Sequence, residues 1–470
     1  MAMVKALLTV AALLLVAGSA SAQQLAFPGA EGYGRFSVGG RGGVAYLVTN
    51  TNDSGPGSLR ACIEATVPRT CVFRVGGIWT SATALTVTSP FLTIAGETAP
   101  PPGVTLRIND AVDTDPLIIA ADDVIVRFIA AENSPRVGST SNTRDGLSVT
   151  TAADRIILDH VSVRFGIDET LDPSGCDMTV QNSIVAWGLE NAGHAEGVHS
   201  KGLLAQNAID GCDLSLIRVL LANSNDRMPD IERYDNVQIV NMLSYNADGD
   251  FGEFRTPDGS TMNLDVIGSE CRAGPATIGT IPPCIRIAEA GGASEVYEVY
   301  IDDVIPATGS VGVLGTGDDV WQVLEDHGMP TIDTILAAGD LNDMLPLIGR
   351  TLPMRDIFDL TVTENAIEAG TNDSIARGGK IIDAVPVSVP TVEAGLVISS
   401  LAASCPCDWR VVDTDGDGMP NYYEAINGFN PYSATDGAEE AVSGYTNLEE
   451  YLHQMAARTP GTWPAAGSPE

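Results

Sequence analysis

The run Asp413-Thr414-Asp415-Gly416-Asp417-Gly418, with Glu424 beyond it, carries the strongest local chemical signal in the chain. With Asp413 as position 1, carboxylates fall at positions 1, 3, 5 and 12 and a glycine at 6. This is EF-hand spacing, in which hard oxygen ligands surround a calcium ion and the glycine makes the sharp turn. Asp413, Asp415, Asp417 and Glu424 are the expected ligands. A degenerate second loop follows, with Glu439, Ser443, Gly444 and Glu450 at its corresponding places and Ala441 where a ligand is missing.

A second group of acids lies upstream: Asp145, Asp159 and the run Asp168-Glu169-Thr170-Leu171-Asp172. On stacked strands, which lie about 4.8 Å apart, such acids could share one cation. An Asp at a turn is otherwise only a turn-former. Basic residues are scarce and therefore informative. Beyond residue 22 the lysines are Lys201 and Lys380, and Lys201 follows the acidic run. Arg227 and Arg233 flank Pro229 in Asp226-Arg227-Met228-Pro229-Asp230-Ile231-Glu232-Arg233. Acids, one lysine and arginines on neighbouring strands would form a polyanion site bridged by metal. The plainer alternative is exposed salt bridges, which contribute little. His194 and His199 stand five apart in HAEGVH and do not match the HExxH zinc spacing.

Composition narrows the partners. Across 470 residues, Lys+Arg 25 against Asp+Glu 61 give a net charge of −36. Such a chain lacks the basic footprint that nucleic acid requires, and it disfavours an anionic membrane surface. An anionic substrate would need local cations or a metal. Residues 1–22 read as a secretory signal: Lys5, then the apolar stretch Ala6 to Val16, then Ala20-Ser21-Ala22. We therefore expect an exported protein, with no membrane span, acting as a monomer. Eight cysteines in an exported chain point to disulfides. Cys62/Cys71 and Cys271/Cys284 are the natural close pairs, and Cys176/Cys212 would close a longer loop. Cys405 and Cys407 are too close to bridge each other without strain, so their pairing is left open.

The elements that must position these residues are short β-rich runs: 91–94, 124–129, 155–163, 178–185, 214–220 and 237–243. Several are entered by Asp or Asn, as at Asp123, Asp154, Asp177, Asp213 and Asn236. Ile156 to Thr179 and Ser215 to Gln238 are both 23 residues apart. A repeat of that length, made of strands without long helices, fits a coil of a parallel β-helix. A β-sandwich is the rival, but two-residue hairpin turns are few between the runs. Residues 59–66 read as a short helix capping the open end, and 318–350 as containing a second helical stretch. From about residue 401 the chain holds eleven acids against two basic residues, a separate acidic module. The expected organisation is a leader at 1–22, a β-helix at 23–400 and a calcium-binding module at 401–470.

Longer stretches carry a family resemblance. They are Ala26-Phe27-Pro28-Gly29-Ala30-Glu31-Gly32-Tyr33-Gly34, Asp53-Ser54-Gly55-Pro56-Gly57-Ser58-Leu59-Arg60 and Ala95-Gly96-Glu97-Thr98-Ala99-Pro100. Ile157-Leu158-Asp159-His160, Arg227-Met228-Pro229 and the tail from Asp413 to Leu452 add to them. Collinear over most of the chain, they resemble the pectate lyases of polysaccharide lyase family 1, in particular secreted pectate lyase C-like members with a terminal calcium-binding segment. The resemblance implies an all-β, right-handed parallel β-helix with a small EF-hand-like tail. It implies a calcium-dependent enzyme that cleaves de-esterified pectin, an acidic polysaccharide, by β-elimination.

Carried over by position, Asp145, Asp168 and Asp172 would hold the catalytic calcium and Arg227 would abstract the proton. Lys201 and Arg233 would contact substrate carboxylates. The chain departs from the family pattern in three places. Glu232 stands where the last Arg of RxPxxR is expected, with Arg233 one step later. Glu196 stands nearest the family lysine, with Lys201 five later. The segment 270–345 shows little likeness and receives no role. Two rivals share the scaffold: a polygalacturonase-like hydrolase, which needs an acid–base carboxylate pair, and a non-catalytic polysaccharide-binding protein.

Overall fold

The computed structural model describes residues 23–133, 144–207, 211–257, 259–277, 283–287, 295–307, 309–312, 320–368 and 412–459. The expected leader, Lys380, Cys405, Cys407 and the first part of the expected acidic module lie outside them.

The apolar runs are strands because alternate side chains enter one shared interior. Val124, Ile156, Met178, Leu214, Val237, Leu264 and Val299 occupy successive rungs of one parallel ladder. All seven are buried in a single apolar column. Pairing is parallel from Val44–Val48 at one end to Val320–Gln322 at the other. This is the expected β-helix. The rung below Ile156 is Met178, so this coil is one residue shorter than the Ile156-to-Thr179 spacing suggests.

Each coil turns a corner at one residue in the left-handed region. His160, Asn182, Arg218, Asn241 and Gly268 stack at one such corner with φ between 51° and 55°. Asn tolerates this conformation better than most residues. It also bridges coils: the Asn241 amide donates to the Gly268 carbonyl at 2.8 Å. A separate ladder carries Leu117–Ile119, Leu147–Val149, Glu169–Pro173, Lys201–Gln206, Asp230–Glu232 and Gly252–Arg255 in succession. Its outward residues form the acidic face described below.

The short expected helix is present as Leu59–Ile63, with the Ser58 hydroxyl accepting the Ala61 amide at its start. Disulfides join Cys62 to Cys71, Cys176 to Cys212 and Cys271 to Cys284. The glycines of the 26–34 segment are structural. A Cβ on Gly34 would lie 2.1 Å from the Ile156 carbonyl oxygen, so this segment lies flat on the strands only without a side chain there.

The helical stretch expected within 318–350 is a short 3-10 helix, Ala338–Asp343. The same segment also holds the strand Val320–Gln322, while the α-helix is Ile357–Ile367. Leu341, Leu345 and Ile348 are apolar because they cover Phe165, Ile184 and Leu220 on the outside of the coils. The segment 270–345 supplies further coils, at Glu270–Arg272, Ile285–Ile287 and Val296–Asp302.

Residues 412–459 fold back onto the start of the β-helix. Met419, Tyr451, Leu452 and Met455 pack against Val72 and Ala95, and Arg74 pairs with Asp413 at 2.8 Å. Among the described residues no helix is long and apolar enough to cross a membrane.

Candidate active site

Parallel stacking brings residues distant in sequence onto one rail. Leu147 pairs with Leu171 and Glu169 pairs with Lys201, so Asp145, Glu169 and Lys201 follow one another across three coils. The Asp145 carboxylate accepts the Glu169 amide at 2.9 Å. Asp145, Asp168 and Glu169 each offer an oxygen within 4.8 Å of the others. Glu169 also pairs with the Arg227 guanidinium.

Asp172 lies outside this tight group, where its carboxylate accepts from the Ser174 hydroxyl. It still belongs to the same field. Burial, then Asp115 and Asp168, push its carboxyl up to about 7 against the Ser174 bond. Asp145 is pushed well above the usual carboxylate range by burial first, then by Asp115, Asp172 and Asp168, with Arg227 opposing. Asp115 was not expected from the sequence. It accepts the Asp145 amide at 2.7 Å, and burial raises it to about 6. Crowded, buried carboxylates of this kind are costly unless a cation joins them.

Asp159 does not join the cluster. It lies on another strand of the coil, where Arg127, His160, Gln181 and Asn182 surround it. Burial pushes its pKa up, but His160 and Arg127 outweigh that and hold it well below the usual range. Its place is structural.

Lys201 does reach the acidic face. It opens the strand Lys201–Gln206, and its ammonium pairs with Asp226 at 2.6 Å. Arg227 sits at a left-handed bend with φ 56°, which turns the chain just before Asp230–Glu232. Arg233 is exposed, and its amide donates to the Arg255 carbonyl at 3.0 Å. One coil on, Arg255 reaches both Asp230 and Glu232, at 2.9 and 2.7 Å. It therefore supplies a guanidinium beside the position where Glu232 departs from the family pattern. Nothing local in the sequence marks Arg255, because its relation to Glu232 exists only through the rung Glu232–Arg255.

A further group of acids lies in the tail, where Asp436 joins the residues expected from the spacing. Asp413, Asp415 and Asp417 bring oxygens together, and Asp415 and Glu424 form a second group with Asp436. Both Glu424 oxygens are buried without a hydrogen-bond partner, as is one oxygen each of Asp415, Asp417 and Asp436. Burial, then the neighbouring acids, push Glu424 up to about 8. This donor set fits a hard cation, since calcium takes six to eight oxygens. In the degenerate loop the Ser443 hydroxyl donates to Glu450 instead.

No family model matches the chain. It is 31% identical to "Probable pectate lyase C" of Aspergillus fumigatus over 93% of this chain and 94% of that one. It is also 31% identical to the protein of the same name in Emericella nidulans, over 95% and 96%. Among solved structures, jun a 1, the major allergen from cedar pollen, superposes with a TM-score of 0.48 at 14% identity. That match spans 68% of this chain and 92% of that one.

Proposed function

The chain belongs to the pectate lyase family, and from that premise we propose that it is an exported, calcium-dependent lyase that cleaves de-esterified pectin by β-elimination. The observation carrying this reading is the convergence of Asp145, Asp168 and Glu169 with Arg227 on the same rail. The residues fit a calcium ion: the donors are carboxylates, and burial already disfavours the ionised form of Asp145 and of Asp172 beside it. Asp145, Asp168 and Glu169 would hold it, with Asp172 beside them. Bound there, calcium acts as a Lewis acid on the uronate carboxylate and bridges two anionic partners.

The reaction removes the proton at C5, beside that carboxylate. The C–H electron pair becomes the C4=C5 double bond, the C4–O bond breaks, and the leaving sugar oxygen takes up a proton. In this reading Arg227 faces C5. A free guanidinium stays protonated, so a base role would require Glu169 to leave Arg227 for the cation site and surroundings that destabilise the charged form. Lys201 and Arg255 lie along the face to meet further carboxylates of the polymer. Three disulfides accord with export to an oxidising compartment. We read the loop from Asp413 to Glu424, with Asp436, as a second, structural calcium site.

The test is absorbance of 4,5-unsaturated uronate released from polygalacturonate. Signal is expected with calcium and is expected to vanish with chelator or in Arg227→Ala. A polygalacturonase-like hydrolase would cut the polymer with chelator present and give no unsaturated product. Full activity in Arg227→Ala would remove Arg227 from the site.

A further inference from the structure

Asp168 has a second set of neighbours that calcium chemistry does not use. Between the strands Cys176–Ala186 and Lys201–Gln206 the chain makes an excursion that carries His194 and His199. It folds back on itself at Gly197, whose amide donates to the His194 carbonyl at 3.0 Å. Gly197 has φ 96°, a conformation other residues rarely adopt. The amide of His199 then donates to the Glu190 carbonyl at 2.9 Å. The turn stacks the two imidazoles, with ring centroids 3.6 Å apart and planes 20° apart.

Both rings aim Nε2 at one atom, Oδ1 of Asp168, from 2.9 Å for His199 and 3.5 Å for His194. The three donor atoms lie within 4.8 Å of one another. Both imidazoles are buried, and Nε2 of His194, in a residue only 7% exposed, has no hydrogen-bond partner. A hydrogen bond from His199 to Asp168 leaves Nε2 of His194, 3.5 Å from the same oxygen, without a partner.

We propose that Asp168, His194 and His199 form a binding site for a zinc-class divalent transition ion at the mouth of the acidic face. Two imidazole nitrogens and one carboxylate are a borderline-soft donor set, suited to zinc and its neighbours and unsuited to calcium. Metal–ligand arms of about 2.0–2.1 Å in a tetrahedron place donors about 3.4 Å apart. The Asp168–His194 separation of 3.5 Å already matches this; His199 must move out from 2.9 Å, and one ring must turn out of the stack so that both in-plane lone pairs meet the ion. A ligating His194 carries its ring proton on Nδ1, so the 3.2 Å bond from the Glu196 amide to that atom is given up. On His199, Nδ1–H would face the Glu196 carboxylate, now 3.9 Å away, the usual orienting partner of a metal-bound imidazole. Three protein ligands leave a coordination place open. Asp168 also belongs to the Asp145–Glu169 group. If the lyase reading above holds, zinc there competes with calcium for Asp168 and slows the enzyme.

The test uses the full exported chain, stripped of metal and kept free of calcium, which would compete for Asp168. Cobalt(II) is titrated as a spectroscopic probe and zinc retention is measured by elemental analysis after dialysis. One equivalent of zinc per chain and a visible cobalt band bleached by zinc are expected. His194→Gln and His199→Gln should each weaken retention at least tenfold, and His453→Ala should not. Circular dichroism confirms that each variant is folded. An unchanged cobalt band in the double Gln variant, or no zinc retained by the folded wild type, overturns the proposal. Neither readout depends on pectate cleavage, so a failed lyase assay leaves this result interpretable.

Discussion

Glu169 and Asp172 are three residues apart on one strand, yet they play different parts. Glu169 follows Asp145 on the rail and touches Arg227; Asp172 is turned to Ser174. The family resemblance implies Asp172 as a ligand, whereas the geometry favours Glu169. Glu169→Gln should raise the calcium concentration needed for half-maximal cleavage by about tenfold, a change of about 1.4 kcal/mol in binding. Asp172→Asn should raise it less, because that carboxyl is outside the tight group. Calcium titrations of the two variants on polygalacturonate separate the assignments, and a larger effect in Asp172→Asn would reverse them.

At the scale of the element, the strand Asp154–Asp159 links core to corner. Ile156 and Leu158 enter the apolar column, and Asp159 ends the strand in a buried pair with Arg127. Removing one partner of such a pair leaves the other charge unmatched, which costs about 3–5 kcal/mol. Asp159→Asn should lower the urea midpoint accordingly. The sign of the pH dependence follows from the depressed pKa. The folded protein holds Asp159 ionised to lower pH than the unfolded chain does. Its contribution is therefore full above the unfolded value of about 3.9 and fades as pH falls through the lower folded value. The variant should lack this part of the acid-side loss, and equal acid sensitivity in both proteins would contradict it.

Across the whole molecule, the tail from residue 412 braces the first coils. Its apolar face covers Val72 and Ala95, and Arg41 and Arg74 tie it by ion pairs to Glu449 and Asp413. The buried, unpartnered oxygens of Glu424 lie inside this brace. A cation bound only to the folded state at one hundred times its dissociation constant adds about 2.7 kcal/mol. Chelation should therefore lower the melting temperature, and Glu424→Gln should shrink that difference while leaving the catalytic calcium requirement in place. An unchanged chelator effect in the variant would remove the loop as a calcium brace.

Local pattern determined a large part of this molecule. Strand runs, the 412–424 ligand spacing, the close cysteine pairs and the capping helix all depend on neighbours in sequence, whose geometry the backbone period dictates. The placement of Asp115, Glu169, Arg255 and the His194–His199 pair beside the acidic face was decided only by the tertiary structure. In a parallel β-helix the chemical neighbours lie one coil away, and coil length varies with each insertion. Lys201 meets Glu169 across 32 residues (201 − 169) while Arg255 meets Glu232 across 23 (255 − 232). No fixed spacing announces such pairs; the rung that joins them exists only once the coils have stacked.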